Sequence, residues 1–254
     1  MSDHRAVGAM MEAMQISPGA FAALFAITTV AGAIQRLGGQ GFGTITVGFV
    51  ALLAPIHAPV TVLLLGLIAA GGGLGLDFRS VNRREIAPAV FGRFVGTLPA
   101  VFLLSALIGS VALQVAVALV ILTGVALSLA GLKVAKTGGT LFAAGFLSGF
   151  MATLTSVGAA PMGLIYQNEE ARAARGTLNA FFLIGLVFSI AAVAFKGLIE
   201  AHHLWLLAGL TPAVALGVYG SAPLAERMAG APLKPLALTL ACGAAILLLA
   251  RAAI

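Results

Sequence analysis

Residues 37 to 76 carry no Asp, Glu, Lys or Arg, and the stretches 13–35, 94–132, 137–168, 176–195, 201–225 and 235–250 are equally free of charge. A helix needs about 20 predominantly apolar residues to cross the roughly 30 Å hydrocarbon core of a bilayer. Most of these stretches reach that length, so the chain reads as an all-α, polytopic membrane protein. Composition agrees. Charged residues make up 9% of the 254 residues, against about a quarter in soluble domains, and mean hydropathy is +1.11. A membrane β-barrel does not fit, because its strands are about ten residues of alternating polarity and no such alternation occurs.

The formal net charge of +6 does not point to nucleic acid, since basic residues flanking apolar spans ordinarily set membrane orientation. Cys242 is the only cysteine, which rules out an internal disulfide and a cysteine-based metal site. The opening MSDHRAVGAMMEAMQIS lacks the basic, apolar and small-residue succession of a cleaved signal peptide. The first span is therefore expected to be retained.

The chain repeats itself. Placing residue 25 on residue 142 aligns FAITTVAGAIQRLGGQGFG with FAAGFLSGFMATLTSVGAA, which lays Phe25 on Phe142, Gly32 on Gly149, Leu37 on Leu154 and Gly41 on Gly158. Farther on, GTLPAV at 96–101 matches GLTPAV at 209–214, an offset of 113 rather than 117. The expected organisation is a tail at 1–17, a membrane repeat at 18–132, a loop at 133–137 and a second repeat at 138–254. Each repeat opens with an interrupted apolar segment (18–54 and 138–166) followed by three crossings. As one helix, 18–54 would be about 55 Å long at 1.5 Å per residue, nearly twice the hydrocarbon thickness. It must bend or turn back, and Gly38, Gly39, Gly41 and Gly43 offer places to do so.

Basic residues select between those options. If both interrupted segments are hairpins that return to their starting face, one side collects Arg79, Arg83, Arg84, Lys133, Lys136, Arg172, Arg175, Arg227 and Lys234. Arg5, Lys196 and Arg251 are left opposite. The positive-inside rule favours this arrangement, which makes the second repeat inverted relative to the first, as in many secondary transporters.

Every acidic residue (Asp3, Glu12, Asp77, Glu85, Glu169, Glu170, Glu200 and Glu226) is expected in a loop, a tail or at a span boundary. That leaves no carboxylate for a proton relay within the membrane. His4, His57, His202 and His203 are expected at interfacial loops, without a metal. Arg36 lies deep in apolar sequence, where a charge must be paired or hydrated. A carboxylate from a distant loop, backbone carbonyls, water and an anionic ligand are the alternatives, beside a side chain that snorkels to the interface. Unpaired N–H groups and helix N-termini at a glycine-rich hairpin tip suit anions. Gln40 adds an amide in the first tip, and Thr153, Thr155 and Ser156 add hydroxyls in the second. Gly145 and Gly149 read as helix-packing positions, Asn179 as a bond to a neighbouring helix, and Pro99 and Pro212 as kinks.

The duplicated plan, the glycine-rich interrupted segments, the basic RSVNRRE loop and the EARAARGTLN stretch together resemble the TauE/SafE sulfite exporter family. The resemblance covers nearly the whole chain. It implies secondary transport of sulfur-containing anions such as sulfite, sulfoacetate or other organosulfonates. Family members carry a glycine run at each hairpin. Here the first is GGQGFG, while the second, SVGAAP, keeps Gly158 and Pro161 but has alanines in place of glycines. Carried over to this chain, the implied anion site is Arg36, Gly39, Gln40 and Gly41 from the first tip and Thr155, Ser156 and Gly158 from the second, with Gln35, Thr153 and Asn179 as secondary members.

The expected function is secondary transport of a small sulfur anion by alternating access between two inverted repeats, in the outward direction as an exporter driven by membrane potential. An anion channel using the same hairpins is the alternative. No nucleophile, base and orienting acid occur together in the spans, so an enzyme is not expected, nor is a cofactor. The expected setting is the cell inner membrane, with the anion and the lipid bilayer as partners and no nucleic acid; a homodimer is left open.

Overall fold

The computed structural model describes residues 12, 15–132, 134–227 and 233–253. Asp3, His4, Arg5 and Lys133 lie outside the described residues, as do the side chains of Glu226 and Lys234. In chain order the helices are α1 (Pro18–Gly38), α2 (Phe42–Leu53), α3 (Val60–Asp77), α4 (Arg83–Leu107), α5 (Val111–Leu129), α6 (Gly138–Thr155), α7 (Ala159–Tyr166), α8 (Ala171–Phe195), α9 (Ala201–Gly220), α10 (Ala222–Arg227) and α11 (Leu233–Ala252), with no strand among the described residues. Seven helices among the described residues are long and apolar enough to cross a membrane: α1, α3, α4, α5, α6, α8 and α9. The chain is a multi-pass membrane protein.

Local chemistry sets the helix ends. Ser17 accepts a hydrogen bond from the Ala20 N–H and Pro18 occupies the first turn of α1, where a missing N–H costs nothing. Thr137 and Thr140 cap α6 reciprocally, and the Glu170 carboxylate takes the N–H groups of Arg172 and Ala173 at the start of α8. The break in the first interrupted segment falls at the glycines: Gly39 has φ +73° and Gly41 has φ +110°, values that residues with a Cβ rarely adopt. The second segment breaks at Ser156, with φ +63°, and resumes after Gly158. The offset of 117 lays Gly39 on Ser156 and Gly41 on Gly158, so the sequence alignment and the two breaks share one register. Pro99 and Pro212 both lie inside helices, α4 and α9.

The course of each interrupted segment follows from its contacts. Lys136, just before α6, bonds Glu85 at 2.9 Å and Glu169 at 2.9 Å, while Tyr166, at the end of α7, donates to the same Glu85 at 2.6 Å. The second segment thus returns to the place where it began. Burial pulls the Lys136 ammonium down, but hydrogen bonds to Glu169 and Glu85 outweigh it and leave its pKa raised. In the first segment, Arg36 near the end of α1 meets Asp77 at the end of α3. α2 then leads through Pro55–His57 to the beginning of α3. The first segment is thus a second helix–break–helix unit, with α1 ending beside the end of α3 and α2 leading back to its start.

Close backbone approach holds the bundle together. A Cβ on Gly145 would fall 2.0 Å from the Ala89 carbonyl oxygen and one on Gly149 2.2 Å from that of Arg93; from the other side, Gly92 and Gly96 face the Phe142 and Phe146 carbonyls at 2.1 Å. These glycines seat α6 directly on α4, the packing role read for Gly145 and Gly149. A Cβ on Gly217 of α9 would likewise fall 2.2 Å from the Thr29 carbonyl oxygen of α1. Lipid tails are as apolar as side chains, so such steric fit replaces the hydrophobic drive between helices. Helix neighbours are α4 with α6, α9 with α1, α4 with α8, α9 with α3, α5 with α7, α11 with α2, α3 with α8, and α5 with α11. Exchanging α1, α2, α3, α4 and α5 for α6, α7, α8, α9 and α11 maps each of these pairings onto another or onto itself.

Asp77 is the last residue of α3, the span boundary expected for it, but its side chain is buried; arginines from α1 and α8 make that burial tolerable. His57 lies in the connection between α2 and α3, as expected, while His202 and His203 stand in the first turn of α9; the three pack ring against ring, with centroids 5.0, 5.9 and 4.0 Å apart, and His57 and His203 are buried.

Candidate functional site

The two breaks face each other. A Cβ on Gly43, at the start of α2, would lie 2.1 Å from the Ser156 carbonyl oxygen, so the tips are in backbone contact. Gln35 braces the first tip. Its amide nitrogen donates to the Gly39 carbonyl at 3.1 Å and to Asn179 Oδ1 at 2.8 Å, and its oxygen accepts from the Phe42 N–H at 3.2 Å. One buried side chain therefore satisfies both ends of the break, which would otherwise leave backbone groups unpaired. Ser148 supports the second tip, donating to the Gly158 carbonyl at 2.6 Å, and the Ser156 hydroxyl donates to the Pro59 carbonyl at 2.9 Å.

A cavity of about 50 Å³ lies where the tips meet, lined by Gln35, Gly41, Gly43, Ser156 and Gly158 beside Val62, Leu63 and Gly66 of α3. One water needs about 10–15 Å³ on this measure, so the space suits a small oxyanion or a few waters. A larger cavity of about 450 Å³ runs from Gln167, Glu169 and Arg175 to Gln40, Gly41 and Thr44. Gly41, Thr44 and Ala159 border both spaces, so the larger one leads from the basic face to the back of the smaller.

Of the residues read from the sequence, Gly41, Ser156 and Gly158 line the small cavity, and Gln35 joins them. Gln40 lines the large one, against Gly163, where a Cβ would come within 2.5 Å of its amide. The rest serve elsewhere. Gly39 packs on Arg175, where a Cβ would stand 2.8 Å from its Cα. Thr155 turns its hydroxyl to the Met151 carbonyl at 2.8 Å. Thr153 is bonded to Thr97 and Ser189. Asn179 binds Gln35 and the Arg175 carbonyl, the helix-to-helix role expected for it.

Arg36 lines neither cavity. Its guanidinium is buried against the Asp77 carboxylate, which also meets Arg175 Nε at 3.1 Å and Arg172 Nε at 3.8 Å. The structure pairs it with a carboxylate from a distant segment, one of the partners left open by the sequence.

Arg93 is the residue that sequence reading passed over. It stands in α4, 1% exposed, and borders the small cavity. Its Nη1 donates to Ser148 Oγ at 2.6 Å, and its guanidinium carbon lies 5.1 and 5.6 Å from the Phe181 and Phe182 ring centroids. Among the described residues its Nε has no hydrogen-bond partner. Gly185 makes room for it: a Cβ there would fall 1.6 Å from Nε. A charge at the edge of the apolar run 94–132 looks like a flanking loop residue, which hid it.

The sequence profile described as Sulfite exporter TauE/SafE matches residues 24–248. The chain belongs to the TauE/SafE sulfite exporter family. The match takes in most of the first interrupted segment, all of the second and every residue that borders the two cavities. No individual curated protein and no solved structure matches. As a TauE/SafE protein, the chain is a membrane transporter of the sulfite exporter type.

Proposed function

We propose that this TauE/SafE protein is a secondary transporter, working as an exporter in the cell inner membrane, for small sulfur anions such as sulfite, sulfoacetate or other organosulfonates. The binding site is the space between the hairpin tips, with Gln35, Gly41, Ser156 and Gly158 around the anion and Gln40 on the approach. The observation that carries this reading is the backbone contact of the two tips, Gly43 on Ser156, around a cavity that borders a wider opening from the basic face.

Alternating access needs two units that can rock about a shared site. The helix pairing, unchanged on exchange of the halves, supports two repeats. The end of α1 beside Asp77 and the start of α6 beside Glu85, two acids that flank the same short connection between α3 and α4, support their inversion. The basic face is the cytoplasmic one by the positive-inside rule, so the large cavity is the inward approach.

Counterflow in proteoliposomes tests the proposal. Vesicles loaded with unlabelled sulfite should take up external labelled sulfite faster than empty ones, because a carrier exchanges bound substrate in each cycle. Uptake without such stimulation would indicate the anion channel instead.

A further inference from the structure

We infer that Arg93, and not Arg36, is the cationic ligand for the anion, and that it selects a small oxyanion with at least two oxygens able to accept from one guanidinium. The inference rests on the transport reading above and names the residue that binds the charge.

The two buried arginines near the tips differ in their counter-charges. Arg36 is joined to Asp77, which Arg175 and Arg172 also approach; its charge is already met, and it faces neither cavity. Arg93 takes part in none of the ion pairs among the described residues. Its neighbours are a serine hydroxyl, two aromatic rings and the cavity. A buried charge without an opposite charge is costly, and the ring faces of Phe181 and Phe182 offset only part of that cost. An anion in the cavity that Arg93 borders supplies the missing charge.

The fit is built into the backbone around it. Gly185 leaves the room that the side chain occupies, since a Cβ there would overlap Nε. Ser148, bonded to Arg93, also donates to the Gly158 carbonyl of the second tip. The guanidinium is therefore tied to the second tip through one hydroxyl, so that the charge and the tip backbone share the same residue. A planar fork of N–H groups matches paired oxyanion acceptors better than an ammonium does.

Calorimetric titration of the purified protein with sulfite tests the assignment, using wild type, Arg93→Gln, Arg93→Lys and, as a control, the exposed Arg84→Gln. Wild type and Arg84→Gln should bind alike. Arg93→Gln should weaken binding at least about tenfold, the equivalent of one lost hydrogen bond to a charged group, and Arg93→Lys should fall between. Undiminished binding by Arg93→Gln overturns the inference while leaving transport intact; failure of wild type to bind sulfite or sulfoacetate overturns the transport reading itself. Should Arg93→Gln not fold, wild-type crystals soaked in selenite, the selenium counterpart of sulfite, give a second measurement. An anomalous selenium peak within hydrogen-bonding distance of the Arg93 guanidinium is expected, and a peak elsewhere, or none at a concentration that saturates the protein in solution, overturns the inference.

Discussion

Gly43 and Ser156 touch through their backbones, the first at the start of α2 and the second at the left-handed break after α6. No side chain separates the two tips there. Gly43→Ala puts a methyl group 2.1 Å from a carbonyl oxygen, a distance that forces the hairpins apart. Overpacking of this kind costs about 1–3 kcal/mol, and the displacement falls directly on the proposed site. Sulfite counterflow should drop at least tenfold while the protein remains extractable and helical. Full activity in Gly43→Ala would mean that contact between the tips is not needed for transport.

Asp77 holds two buried arginines, Arg36 from α1 and Arg175 from α8, so substitutions in this network should be unequal. Asp77→Asn removes the carboxylate that both guanidinium groups share. Loss of one member of a buried pair costs about 3–5 kcal/mol. Arg36→Gln leaves Asp77 still paired with Arg175 and should cost less. Thermal unfolding in detergent, followed by circular dichroism, checks the ranking; equal losses in the two variants would show that the arginines are not sharing one counter-ion.

How far the sequence revealed these relationships depends on how local their causes are. The break at Gly39 was legible because a 55 Å helix cannot fit a bilayer and glycine offers the way out. Ser156 was legible only by alignment: its hydroxyl drew attention as an anion ligand, whereas its place at the aligned break and its bond to Pro59 make it a hinge of the second tip. Gly43 looked like one turn glycine among four, because a contact with residue 156 leaves no local trace. Arg36 stood out by its depth, but its partner lies 41 residues away at the end of a span, where Asp77 counted as a boundary charge. Arg93 escaped for a similar reason: charge at the edge of an apolar run looks like a flank, and only packing against Gly185 and Phe181 reveals it as interior.

Gln35 should matter more than its neutral side chain suggests. It bonds the Gly39 carbonyl, the Phe42 N–H and Asn179, so Gln35→Leu leaves three buried polar groups without that partner. Each such group costs about 1–3 kcal/mol when left unsatisfied. A marked drop in melting temperature is expected, and Asn179→Leu, which removes one of those bonds, should cause a smaller one. If the two variants are equally stable, the bracing of the first tip by Gln35 is not what holds the break in place.

The energy source is open to a direct measurement. Asp77 is committed to arginines, and Gln35, Ser156 and Arg93 are the polar side chains bordering the small cavity together with Thr44; none of these is a carboxylate that could exchange protons with the substrate. Transport driven by membrane potential needs no such group. A potential of 100 mV is worth about 2.3 kcal/mol per charge, enough for an outward gradient of about 50-fold for each negative charge moved from a cell that is negative inside. Proteoliposomes with an imposed potassium diffusion potential should therefore drive sulfite toward the positive side, and reversing the potential should reverse the flux. Flux that follows a proton gradient at clamped zero potential, and ignores the diffusion potential, would overturn the electrogenic uniport prediction.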